Sequence, residues 1–293
     1  MRVLVTGAGG QLGGRLALAL ASDFEVIAGL HSAPAPTGLG HATLDLLEPG
    51  AFERALQEVR PDAVVHCAAL ADADRCEREP GLATALNASV PRQIARLCQQ
   101  RQLRLVALST DLVFDGRRSF VKESDPPAPS LVYARSKLDG ERAVLEEAPG
   151  AAVVRVALLC GRGHGSRPTA SEAIGWTLAD GRPLRLFTDQ YRTPVDAESL
   201  AAAVALLLEG SGAGRYHLGG RERLSRYDLG VRVARLLSLP SALLIPATQA
   251  EVLAHPRPAD VSLDSGRAEK ELGWSALPLD EAIRRGRSRP DCI

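Results

Sequence analysis

A doubly wound α/β fold with a smaller C-terminal lobe is what this 293-residue sequence predicts. Three observations carry it. Short β-branched and leucine-rich runs alternate with stretches of helical periodicity up to about residue 160, a glycine-rich turn follows the first run directly, and the rhythm changes afterwards.

The runs are VLVT at 3–6, FEVIAGL at 24–30, AVVHC at 63–67, LRLVALS at 103–109 and AVVRVALL at 152–159. Continuous apolar strands of this length suit a parallel sheet covered on both faces. Between them QLGGRLALALA, AFERALQEVR and residues 81–100 space their apolar side chains as helices do. Pro91 either starts a second helical segment there or kinks the helix, because it lacks a backbone N–H. Ala33 to Gly40 reads as a loop. From Gly161 the connector GRGHGSRP leads to helices near 169–180, 197–209 and 226–237, separated by short extended pieces.

The composition, 45% hydrophobic and 24% charged, is that of a globular chain. Its 35 cations balance 35 anions with no basic tract, which argues against nucleic acid as a partner. The longest apolar stretch, Leu200 to Leu208, is far short of the roughly 20 residues of a membrane span. No leader is visible, so a cytoplasmic location is expected. Cys67, Cys76, Cys98, Cys160 and Cys292 show no paired spacing; they are expected to be reduced thiols, with neither disulfides nor a metal site.

The turn after the first strand carries glycines at 7, 10 and 13 and opens a helix. Gly7 permits a tight exit, Gly10 lets backbone approach a pyrophosphate, and Gly13 allows close helix–sheet packing, while the N–H groups of Gln11 and Leu12 face the anion. This is the fingerprint of a Rossmann-type dinucleotide site, and it divides the chain into a nucleotide-binding domain over 1–160 and, over 161–293, mainly a substrate lobe with some segments returning to the sheet. The second strand ends in Gly29-Leu30-His31-Ser32, without the acidic residue that would hold a ribose 2′-hydroxyl. His31 and Ser32 can instead donate to a 2′-phosphate, which favours NADP(H) over NAD(H). Asp45, followed by Leu46, stands where a third strand ends and is expected either to accept from the adenine amino group or to cap a helix.

Tyr133 and Lys137 are four residues apart and share one helical face, where a nearby ammonium is expected to stabilise the phenolate. Ser109-Thr110-Asp111 follows the fifth run, at the same sheet end as the glycine turn. Its hydroxyl can bond a substrate carbonyl together with the tyrosine.

At these residues the chain resembles the extended short-chain dehydrogenases/reductases, and within them the group containing dTDP-4-dehydrorhamnose reductase and the regulatory β subunit of methionine adenosyltransferase. The resemblance rests on VLVTGAGGQLG, PDAVVHCAALADADRCEREP, Asn87, STDLVFDG, PSLVYARSKLDGE and RPADVSLD. It implies Thr110, Tyr133 and Lys137 as catalytic residues, Cys67, Ala68 and Ala69 along the cofactor, and Asp111 and Arg257 toward the substrate. The implied activity is reduction of a keto group on a nucleotide sugar, with a homodimer left open. Leu112 stands where the family's dehydratases carry an acid, which argues against dehydration. Leu112, Leu158 and Ala71 also replace the aromatic and threonine side chains that the rhamnose-pathway reductases present to the sugar. The resemblance equally admits a nucleotide-bound regulatory subunit without turnover, or an epimerase holding NAD tightly.

Overall fold

The computed structural model describes residues 1–253 and 257–286; Cys292 lies outside them. Strands β1 (Arg2–Thr6), β2 (Glu25–Leu30), β3 (Gly40–Thr43), β4 (Ala63–His66), β5 (Arg104–Thr110) and β6 (Ala152–Val156) make up the first half. Around them lie α1 (Gln11–Leu20), α2 (Ala51–Val59), α3 (Ala73–Arg78), α4 (Pro80–Thr84), α5 (Val90–Gln100) and α6 (Val132–Glu147). The second half holds α7 (Ala170–Ala179), α8 (Ala197–Glu209) and α9 (Arg226–Leu236), with the short strands β7 (Leu159–Cys160), β8 (Leu184–Phe187), β9 (Tyr191–Arg192) and β10 (Val195–Asp196). There β11 (Gly214–Leu218) returns to the main sheet and pairs parallel with β6. The sheet order is β11-β6-β5-β4-β1-β2-β3, and every pairing in it is parallel.

Strand alternation sends side chains to two separate cores. Val3 and Val5 pack with Leu16, Leu200 and Leu207 under α1 and α8. Leu4, Val64 and Leu105 face the other way, against Phe52, Ile94 and Val144 of α2, α5 and α6. A third cluster, with Ile174, Leu229, Val233 and Leu244, holds the smaller lobe together. Among the described residues no helix is long and apolar enough to cross a membrane.

One expected element differs in detail. The run at 152–159 is not one strand: β6 stops at Val156, Ala157 N–H donates to Leu218, and the chain leaves the sheet so that β7 pairs with β10. Cys160 is as buried as the strand before it, so hydrophobicity could not mark the exit. Residues 81–100 follow the first of the two readings at Pro91: the proline lies in the first turn of a second helical segment, α5, and a π-helical turn over Ala85–Ser89 leads into it. That turn presents Asn87, whose amide bonds Leu70 backbone at both N and O and donates to Ser136 Oγ at 3.0 Å.

Helix α6 is fastened to the sheet by a buried ion pair. Arg155 of β6 and Glu141 of α6 have side chains only 1% exposed and meet at 2.7 Å. Ser109 Oγ donates to Glu141 Oε1 at 2.5 Å, and the guanidinium also lies over the Phe114 ring. Removing one partner of such a pair strands a charge in the interior. Arg155→Met is therefore expected to cost about 3–5 kcal/mol in chemical denaturation, and adding Glu141→Leu to recover most of it. A single variant as stable as the parent would show that the pair does not anchor α6.

Candidate active site

The C-terminal ends of β1, β4 and β5 lie side by side, and the glycine turn, the Cys67-Ala68-Ala69 segment and Thr110 leave the sheet together there. Gly7 has φ +69, and a Cβ on it would lie 2.6 Å from Ala68 N. A Cβ on Gly13 would lie 2.3 Å from Gly7 O, so α1 and β1 approach closely only because both residues are glycine. Gly10 caps α1 with no side-chain hydrogen bond, so its first N–H groups, including those of Gln11 and Leu12, face outward for an anion. This cradle fits a dinucleotide pyrophosphate. Gln11 itself donates to Arg167 O at 3.2 Å, so the connector GRGHGSRP folds over the glycine turn. Gly14 makes room for it, since a Cβ there would sit 2.1 Å from the His164 ring.

His31 and Ser32 are exposed just past the end of β2. His31 Nε2 lies 3.7 Å from Asp45 Oδ2, while Asp45 Oδ1 accepts from Leu47 N–H at 2.9 Å. Asp45 thus closes a local turn ahead of Leu46, not a helix.

Thr110 ends β5 with its hydroxyl committed on both sides, accepting from Leu112 N–H and donating to Asp111 Oδ1, each at 3.2 Å. Tyr133 packs on Leu70, Cys76 and Ala83, with its hydroxyl beside Thr110. One turn along α6, Lys137 is buried and donates to Leu108 O at 2.7 Å. The expected downward shift of the phenol does not occur in the free protein. Burial pushes Tyr133 up to about 12, and the Thr110 hydroxyl only partly opposes it. Lys137 spends its charge elsewhere: burial brings it down to about 8, against the pull of Glu141 and Cys67. The phenol is therefore a protonated donor at neutral pH.

Asp111 is buried, and its Oδ2 has no hydrogen-bond partner among the described residues. Burial raises this carboxyl to about 6 although Arg192 lies 3.8 Å away. Arg226 is a second cation beside it, itself shifted downward by burial. Neither arginine stands in a pattern that sequence alone could single out, because each comes from the lobe and reaches the site only through folding. Arg257 stands further out, its guanidinium 3.2 Å from Asp74 and its backbone N–H on Gln249.

Lys137 is charged in folded and unfolded chains at neutral pH, but its folded pKa is about 8 against an ordinary 10.5. Burying the ammonium thus costs on the order of 3 kcal/mol below pH 8, and the cost disappears as pH rises through 10.5. Lys137→Met is expected to stabilise the free protein at pH 7 and to lose that advantage by pH 10.5, as read by denaturation across pH. A constant difference over that range would contradict it.

A family model described as the RmlD substrate binding domain matches residues 1–287. A probable low-salt glycan biosynthesis reductase, Agl14, of Haloferax volcanii is 33% identical, over 97% of this chain and 96% of its own. A probable dTDP-4,6-dihydroxy-2-methyloxan-3-one 4-ketoreductase of Streptomyces antibioticus is 38% identical over 88% and 85%. Methionine adenosyltransferase 2 subunit beta of Xenopus laevis is 32% identical over 97% and 86%. Among solved structures, a hypothetical dTDP-4-dehydrorhamnose reductase from Sulfolobus tokodaii superposes with a TM-score of 0.87 at 33% identity, covering 98% of this chain and 100% of that one. The dTDP-4-dehydrorhamnose reductase of Bacillus anthracis in complex with NADP gives 0.86 at 25%, covering 97% of each. By sequence and by fold, the chain belongs to the RmlD substrate binding domain family.

Proposed function

We propose that this chain is an NAD(P)H-dependent reductase of a keto group on a nucleotide sugar. The observation that carries the reading is the convergence of the Thr110 and Tyr133 hydroxyls at the end of β5, beside the glycine turn and one helical turn from the Lys137 ammonium. Bound on that turn, the dinucleotide supplies the hydride. Tyr133 gives its proton to the carbonyl oxygen as that oxygen gains charge, and Thr110 donates to the same oxygen once its proton turns from Asp111. Lys137 holds the ribose and keeps a positive charge near the phenol as it ionises. Asp111, with Arg192 and Arg226 behind it, faces the sugar, while Arg257 borders the cleft from the lobe. NADP(H) is favoured over NAD(H), because the tip of β2 offers His31 and Ser32 and no carboxylate of its own.

A nucleotide-bound regulatory subunit is the second reading, favoured by the 32% identity to methionine adenosyltransferase 2 subunit beta. The two separate at Tyr133. Tyr133→Phe keeps the ring and removes the proton donor, so turnover of a 4-keto nucleotide sugar is expected to fall about 10²–10⁴-fold with cofactor affinity unchanged. No turnover by the parent, together with a stable complex with a methionine adenosyltransferase catalytic subunit, would favour the second reading.

A further inference from the structure

The proposed chemistry leaves one buried group near the site without a task. His66 ends β4 and is 1% exposed. Its Nδ1 lies 2.8 Å from Thr6 Oγ1, and that oxygen also accepts from Ala68 N–H at 3.4 Å. Thr6 is wholly buried, and among the described residues His66 Nδ1 is the acceptor available to its hydroxyl proton. Nδ1 is therefore the accepting nitrogen, and the ring proton sits on Nε2. Nε2 has no partner among the described residues. A buried N–H left so is unfavourable, and proteins commonly satisfy it with an internal water.

Nε2–H faces a place for one. His66, Ser109, Lys137 and Glu141 line a cavity of about 10 Å³, close to the space a single water needs. The lining is complementary to water. Lys137 uses one N–H on Leu108 O and has two left, and Ser109, having given its proton to Glu141, can only accept. We propose that one water occupies this cavity, accepting from His66 Nε2–H and Lys137 Nζ–H and donating to Glu141 and Ser109. His66 is then a positioning residue: it fixes the water that fixes the ammonium. Two of the three Lys137 N–H bonds point into the protein and the third is aimed at the ribose and Tyr133. His66 performs this as a neutral ring, since burial, and after it the Lys137 charge, bring its pKa down to about 3. The role in turnover rests on the reductase reading; the tautomer and the water do not.

The test therefore has an arm that needs no turnover. Long-range ¹⁵N NMR of the intact protein is expected to show His66 as the neutral Nε2–H tautomer from pH 5 to 9, with cross-relaxation between Hε2 and a bound water. An Nδ1–H tautomer, or an imidazolium above pH 5, overturns the proposal. The second arm uses two variants. His66→Asn keeps an amide in reach of Thr6 and withdraws the donor from the cavity, so kcat is expected to fall about 10–100-fold with substrate KM little changed. His66→Gln, long enough to return an N–H to the cavity, is expected to recover most of it. A parental kcat in His66→Asn, or an equal loss in both folded variants, overturns the positioning role. Should neither variant fold, the parent's tautomer decides.

Discussion

Lys137 brings an ammonium into the interior, and much of the surrounding structure follows from keeping it there. Desolvation drives its pKa down to about 8, opposed by Glu141 one turn further along the same helix. Glu141 in turn must be held, and Arg155, fully buried on β6, holds it. The carbonyl of Leu108, one residue past the last β4–β5 pair, His66–Ala107, accepts from Lys137. A cation, an anion and a second cation thus run from the candidate active site into the sheet, with Arg215 and Ser109 also on the anion. The arrangement costs stability, and a site whose chemistry needs a charge beside a phenol is where such a cost is expected.

The same logic explains why the phenol is raised and not lowered in the free protein. Tyr133 sits against Leu70, Cys76 and Ala83, and burial against that apolar wall outweighs the hydrogen bond with Thr110. A spacing of four residues told which side chains share a face, but not which environment dominates. The glycine turn was more legible. Gly7 and Gly13 leave no room for a side chain because of backbone contact, and backbone contact at a strand–helix junction repeats from one such fold to the next.

Legibility fell where partners come from distant parts of the chain. The helices at 197–209 and 226–237 declared themselves by periodicity, yet the lobe's relation to the site did not: Arg192 of β9 comes within 3.8 Å of Asp111 only after the lobe folds back. Nothing in the run AVVHC marks His66, whose Nε2 is without a partner among the described residues while Thr6 takes the other nitrogen. The run 152–159 hid a strand's exit because both sides of the break are buried. In each case the missing information was three-dimensional, and no local pattern contained it.

The proposed reaction passes a hydride from the dinucleotide to a sugar ketone held at Tyr133. A single-turnover reaction of the parent protein with NADPH deuterated at the transferred C4 position, run against 4-keto nucleotide sugars, tests it most directly. One deuterium is expected on the sugar carbon that bore the ketone for each cofactor oxidised. Cofactor that binds but is never oxidised across the series, or deuterium lost to solvent, would contradict it.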